Sequence, residues 1–260
     1  MKAVILCGGY GTRIRDVADN IPKPMIPVGR YPILWHIMKY YASFGHKEFV
    51  LCLGYKSQVI KDFFLNYEAH TKDFTITLGQ RETLAFHTEH DESDWKVTLA
   101  ETGLDAMTGA RIARIRTYVG DDDDFLLTYG DGLGDIDLEA LMAFHRSHGR
   151  ALTVTGVRPP GRFGELMHGN GGQVTEFNEK PQATGGRISG GFFVASKKLF
   201  DYLEDRDDLV FEQGPMRKLV ADGQLMVHEH DGFWQPMDTN REYQLLNGLY
   251  DAGKAPWVRW

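Results

Sequence analysis

The chain has 260 residues, 42% of them hydrophobic, with 29 lysines and arginines against 36 aspartates and glutamates, for a formal net charge of −7. That length can bury a full core without disulfide or metal staples. The acidic balance argues against a general binder of nucleic acid or anionic membrane, which carries a basic footprint.

Residues 2–6 form a short apolar strand that runs straight into Gly8-Gly9-Tyr10-Gly11. Ile33, Ile37, Tyr40 and Phe44 recur at helical spacing, and Gly45 is placed to end that helix. Residues 49–53 read as a second buried strand, followed by an amphipathic helix marked by Val59, Ile60, Phe63 and Phe64. Residues 73–78 alternate as a strand. The stretch 79–93, with Glu82, His87, His90 and Asp91, reads as a polar loop in preference to a histidine metal cluster. A strand over 95–99, a helix through Ile112 and Ile115, and a strand over 124–129 come next, the last preceded by a solvated acidic turn. A helix over 138–148 and a strand over 151–157 complete this alternation. After Pro159 the pattern turns towards β, with strands over 173–179, 190–195 and 225–229 and helices over 197–204, 215–221 and 241–252.

Apolar strands separated by helices predict an α/β fold with a mostly parallel sheet covered on both faces. No repeat, low-complexity linker or clear boundary divides the chain, whose length allows one large domain or two small ones. Cys7 and Cys52 sit in apolar runs and read as small buried hydrophobes of a reducing cytoplasm. No stretch approaches the length of a membrane span, and the first apolar run is too short for a signal peptide.

Glycine is enriched, 29 residues or about 11% against a usual share of roughly 7%, and several of these glycines fall where chemistry is expected. Glycines directly after a buried strand let backbone N–H groups approach an anion, and ligands of open α/β sheets bind beyond the strands' carboxyl ends. The segment Gly8–Gly11 lacks the third glycine of the dinucleotide fingerprint and the closing Gly-Lys-Ser/Thr of a Walker loop. A simple tight turn is the competing reading. In Pro22-Lys23-Pro24-Met25, two prolines bracket one lysine and are expected to hold it in extended backbone. Arg13 and Lys23 together suit a triphosphate laid over the loop.

Asp131, between Gly130 and Gly132 at a strand end, suits Mg²⁺, which takes one or two carboxylates and completes its shell with phosphates and water. Asp238, in Trp234-Gln235-Pro236-Met237-Asp238-Thr239, offers a second carboxylate. Each aspartate alone is more often a turn or helix-cap residue. In Asn178-Glu179-Lys180-Pro181 the glutamate suits vicinal sugar hydroxyls and the lysine a phosphate, with a surface ion pair as the alternative.

In this order the motifs resemble the nucleotidyltransferases that join a sugar 1-phosphate to a nucleoside triphosphate. Gly8-Gly9-Tyr10-Gly11-Thr12-Arg13, Lys23-Pro24, Gly130-Asp131, Glu179-Lys180-Pro181 and Gly190-Gly191-Phe192 carry that likeness. The cytidylyltransferase branch is indicated by Ile33-Leu34-Trp35-His36, Thr102-Gly103 with Thr108-Gly109-Ala110-Arg111, Pro159-Pro160-Gly161-Arg162-Phe163-Gly164, and Gly253-Lys254-Ala255-Pro256-Trp257.

The resemblance implies a single domain over 1–260 with a Rossmann-like nucleotidyltransferase fold and a mixed sheet, 1–150 mainly nucleotide-binding and 151–260 mainly sugar-binding and C-terminal. It implies CTP and α-D-glucose 1-phosphate as substrates, CDP-glucose and pyrophosphate as products, Mg²⁺ as cofactor, and a homo-oligomer. Arg13, Lys23, Asp131 and Lys180 would be catalytic. Leu6, Gly8, Gly9, Gly11, Thr12, Arg13, Lys23, Thr102, Gly103, Arg111 and Gly130 would meet the nucleotide. Gly164, Glu179, Lys180, Ser189 and Gly190 would meet the sugar phosphate, and Asp131 and Asp238 would hold the metal. Ser189 stands where relatives carry asparagine, which leaves the sugar less defined than the base. A thymidylyl-, uridylyl- or guanylyltransferase keeps the same fold and reaction. A non-catalytic sugar-nucleotide sensor is disfavoured because Arg13, Lys23, Asp131, Lys180 and Asp238 are all present.

Overall fold

The computed structural model describes residues 1–11, 14, 20–159, 165–168, 174–178 and 186–260, and for 80–82, 165–168 and 174–178 the backbone alone. The first half comprises β1 (Ala3–Leu6), β2 (Pro27–Val28), β3 (Tyr31–Pro32), α1 (Ile33–Ala42), β4 (Glu48–Leu53), α2 (Ser57–Leu65) and α3 (Tyr67–Thr71). There follow β5 (Phe74–Thr77), β6 (Gln80–Phe86), β7 (Lys96–Glu101), α4 (Thr108–Arg114), α5 (Arg116–Val119), β8 (Asp124–Tyr129) and β9 (Gly132–Gly134). The second half comprises α6 (Leu138–His148), β10 (Leu152–Val157), β11 (Glu165–His168), β12 (Val174–Asn178), β13 (Ile188–Ser196), α7 (Gly214–Ala221), β14 (Leu225–His230), β15 (Trp234–Pro236) and α8 (Asn240–Asp251).

Seven strands form the central sheet in the order β14-β10-β13-β8-β1-β4-β7. β1 pairs in parallel with β4 and β8, β4 with β7, and β10 with β14. β13 is antiparallel to both its neighbours, β8 and β10, so it alone is reversed within the sheet. This is the mostly parallel α/β architecture that the sequence predicts.

The unbroken apolar runs follow from burial on both faces. Successive strand side chains point to opposite faces. Ala3 and Ile5 of β1 therefore join Phe49 and Leu51 of β4 in a cluster with Ile33 and Ile37 of α1 and Leu138 of α6. Val4 and Leu6 join Val50, Cys52, Phe125 and Leu127 in a second cluster, closed by Ile112, Ile115 and Leu219. A single polar residue in β1 would be stranded in one cluster or the other. Cys7 and Cys52 are free thiols and buried, as expected.

Two local expectations change. Residues 79–93 are not wholly a loop, because β6 pairs antiparallel with β5 in an exposed ribbon turning at Gly79, whose φ of 90° suits glycine. The periodicity over 197–204 resolves as a 3₁₀ helix over Lys197–Tyr202. Among the described residues no helix is long and apolar enough to cross a membrane.

Candidate active site

The carboxyl ends of β1, β4 and β8 meet at one edge of the sheet, and the glycine loop begins there. Gly8 and Gly54, each just past a strand, form a slot for the guanidinium of Arg111. A β-carbon on Gly8 would lie 2.2 Å from Arg111 Nη1, and one on Gly54 would lie 2.4 Å from it. Arg111, in the middle of α4, reaches this slot with its charge buried. Its Nη1 donates to Leu53 O at 2.8 Å, Thr102 Oγ1 at 2.9 Å and Gly103 O at 2.8 Å. Its Nη2 donates to Gly8 O at 3.0 Å and Leu104 O at 3.3 Å. Burial pulls the guanidinium below its ordinary pKa. The five oxygens that meet it include carbonyls from three separate segments, so Arg111 fixes the glycine loop against the ends of β4 and β7.

Lys23 stands on the opposite side of the site. Pro22 is extended, at φ −69° and ψ 148°, but Lys23 does not continue that conformation. It opens a single 3₁₀ turn, Lys23–Met25, closed by the Met25 N–H to Pro22 O and the Ile26 N–H to Lys23 O. Its Nζ donates to Asp131 Oδ2 at 2.5 Å and to Asp238 Oδ1 at 2.5 Å. Burial alone would lower the ammonium's pKa, but the two carboxylates outweigh it and hold the pKa above the ordinary lysine value.

Asp131 and Asp238, 107 positions apart in the chain, are brought together by a short ladder. β15 pairs antiparallel with β9, Pro236 opposite Gly132, and Met237 N–H donates to Asp131 O at 2.8 Å. The helix-cap alternative for Asp238 falls away. Thr239 is the N-cap of α8, in a capping box with Glu242, whose side chain also accepts from the Asp238 N–H at 2.7 Å. Two carboxylates converging on one cation are a hard-oxygen pair of the kind that binds a divalent metal alongside phosphates. Among the described residues no group of three or more His, Cys, Asp or Glu side chains forms a self-sufficient metal cage.

A cavity of about 400 Å³ lies between Arg111 and Lys23. Its walls include Leu6, Gly8, Gly9, Gly11, Lys23, Arg111, Gly130, Asp131 and Asp238, all singled out from the sequence. Thr102 and Gly103 lie behind Arg111 as hydrogen-bond acceptors and do not line it. A smaller pocket of about 50 Å³ adjoins, lined by Ser189, Gly190, Trp234 and Pro236. Tyr129 and Asp131 belong to both. Thr12, Arg13, Gly164, Glu179 and Lys180 lie outside the described residues.

Sequence reasoning assigned no role to Tyr10, the segment 104–107 or Tyr129, which also line the larger cavity. Tyr10 donates to Asp105, linking the glycine loop to that segment. Leu104 and Met107 are exposed apolar side chains at its rim. The available signal was their position inside or between motifs already noted.

A strand-end glycine loop, a lysine between two aspartates and a mixed sheet define a nucleotide-handling α/β enzyme class. Residues 2–239 match the family described as nucleotidyl transferase, and the chain belongs to that family. It is 48% identical over 260 residues to glucose-1-phosphate cytidylyltransferase of Salmonella typhimurium, covering 100% of both chains. It is 44% identical over 268 residues to a probable glucose-1-phosphate cytidylyltransferase of Bacillus subtilis, again covering 100% of both. The fold superposes on HddC from Yersinia pseudotuberculosis with a TM-score of 0.68 at 22% identity, covering 96% of this chain and 99% of that one.

Proposed function

We propose that this protein joins CTP and α-D-glucose 1-phosphate to give CDP-glucose and pyrophosphate, with Mg²⁺ as cofactor. A phosphate oxygen of the sugar phosphate attacks the α-phosphorus of CTP. The bond from that phosphorus to the bridging oxygen breaks, and pyrophosphate leaves with the electron pair. The attacking oxygen is already an anion, so no general base is required. The barrier lies in bringing two polyanions together and in stabilising charge at the reacting phosphorus.

The position of Asp131 carries this reading. It lies on the border shared by the larger cavity and the smaller pocket, with Asp238 brought close by β15. The glycine loop and Arg111 shape the nucleotide side, and Ser189 and Gly190 shape the sugar side. Lys23 holds a positive charge at the floor where phosphates would meet. Asp131 and Asp238 would hold Mg²⁺, which when bound supplies charge neutralisation for the phosphoryl oxygens. Thr12, Arg13, Gly164, Glu179 and Lys180 complete the proposal from their place in the sequence motifs. The identities to cytidylyltransferases over the whole chain support the choice of base and sugar.

A substrate matrix tests it. Pyrophosphate release is followed for CTP, UTP, dTTP and GTP against glucose, mannose and galactose 1-phosphates with Mg²⁺. The CTP and glucose 1-phosphate pair is expected to give the highest kcat/KM. Release with no pair, or a preference for another base, overturns the proposal.

A further inference from the structure

The geometry points to Glu212, a residue outside both cavities, as the positioning residue that fixes the wall between the nucleotide and sugar sides by holding Tyr129 and Thr108 at once. Glu212 Oε1 accepts from the Tyr129 phenol, and its Oε2 accepts from Thr108 Oγ1 at 2.7 Å. Thr108 Oγ1 in turn accepts from the Phe211 N–H at 3.0 Å, which holds the neighbouring backbone in the same network. One carboxylate thus joins the end of β8 to the start of α4.

The two partners are informative because of where they stand. Tyr129 lines both cavities and lies two residues before Asp131. Thr108 lines the larger cavity and opens the helix that carries Arg111. The body of the Tyr129 ring is packed against the backbone of Gly191, where a β-carbon would lie 2.4 Å from ring atom Cδ2. Phe193 meets the ring edge-on at 5.8 Å between centroids. Packing fixes the ring's body, and Glu212 fixes its hydroxyl. Hydrogen bonds to an ionised acceptor are short and about twice as strong as neutral ones, so this contact suits a wall that must not tilt.

This inference rests on the nucleotidyl-transfer reading. It is tested with purified Glu212→Ala, Glu212→Gln, Tyr129→Phe and the Glu212→Ala/Tyr129→Phe double variant, measuring kcat, both KM values and Tm. Misplacing a wall of the reacting centre by about 1 Å costs up to about a hundredfold in rate. Glu212→Ala is expected to lower kcat about tenfold while KM for the triphosphate moves less than about threefold, because the glycine loop and Lys23 are untouched. Glu212→Gln, which can still accept from Tyr129 and donate to Thr108, is expected to recover kcat to within about threefold. Tyr129→Phe should lose a similar factor, and the double variant should be no slower than the slower single variant, since both singles delete the same Tyr129–Glu212 contact. Wild-type kcat in Glu212→Ala, independent multiplication in the double variant, or a loss confined to Tm overturns the positioning role. Absence of pyrophosphate release from the unaltered protein with every substrate pair would instead overturn the nucleotidyl-transfer reading, and this inference with it.

Discussion

Two cations face each other across the larger cavity and are held in opposite ways. Arg111 is surrounded by neutral oxygens, four carbonyls and one hydroxyl, and lies in a slot that only glycines leave open. Lys23 is held by two carboxylates whose side chains are about a third exposed, 33% and 28%. A guanidinium in a carbonyl cage cannot leave without giving up five hydrogen bonds to neutral oxygens at once. An ammonium between two partly exposed carboxylates can be exchanged for another cation, because water and a metal satisfy the same oxygens. The first arrangement makes a fixed wall and the second an adaptable floor.

The largest expected effect is on the floor. Asp131→Asn removes a charge shared by both cavities and is expected to lower turnover about a thousandfold. Its Tm should stay within a few degrees of the parent's. Near-normal pyrophosphate release by this variant would remove Asp131 from the reacting centre.

The fixed wall should respond in stability first. Arg111→Met removes five hydrogen bonds, among them the one that Gly103 O accepts, and is expected to cost about 3 kcal/mol. That corresponds to a fall in Tm of roughly 6–12 °C for a chain of this size. An unchanged Tm would show that the carbonyl cage contributes little and would erase the contrast with Lys23.

The exchangeable floor makes a prediction of opposite sign. Lys23→Met should reduce catalysis yet tighten binding of a divalent cation to the substrate-free protein by about tenfold, because the competing positive charge is gone. Titration calorimetry, or the Mn²⁺ paramagnetic signal, reads this directly. Unchanged or weaker binding would place Lys23 among the fixed groups, with Arg111.

The last prediction concerns a buried group behind the floor. His36 Nε2 donates to Val28 O at 2.8 Å, and its Nδ1 accepts from Trp257 Nε1 at 3.4 Å. Trp257 stacks on Phe233, next to the strand that leads to Asp238. Burial pushes His36 down to about 4, partly opposed by the Val28 hydrogen bond. The folded protein therefore binds this proton less readily than the unfolded chain. Its contribution is complete above an unfolded pKa of about 6.5 and is lost as pH falls towards 4, up to about 3 kcal/mol. Melting curves of the parent and His36→Phe between pH 7 and 4.5 should converge as the pH drops. Parallel profiles would show that His36 is not the titrating group.

Much of the frame was legible in the chain because the two structural periods are distinct. The apolar run at β1, the helical spacing of Ile33 and Ile37, and the strand at Asp124–Tyr129 all read correctly. The site was legible as a set of residues but not as an arrangement. Asp131 and Asp238 were both singled out, yet a three-residue pairing of β15 with β9 brings them together, and nothing in their spacing encodes it. Arg111 was noted as a nucleotide contact; its slot depends on Gly54, a residue with no motif around it. Glu212 carries no sequence signal, because its role lies in two partners 104 and 83 positions away.

The sequence by itself determined the layered α/β class, the glycine loop at a strand end and the inventory of lysines and aspartates, since each depends on local spacing or residue chemistry. Only the tertiary structure decided which cation is caged and which is exchangeable, and which carboxylate stands between two cavities. Those properties depend on burial and on partners distant in the chain, and hydrogen-bond geometry across a fold has no period to read.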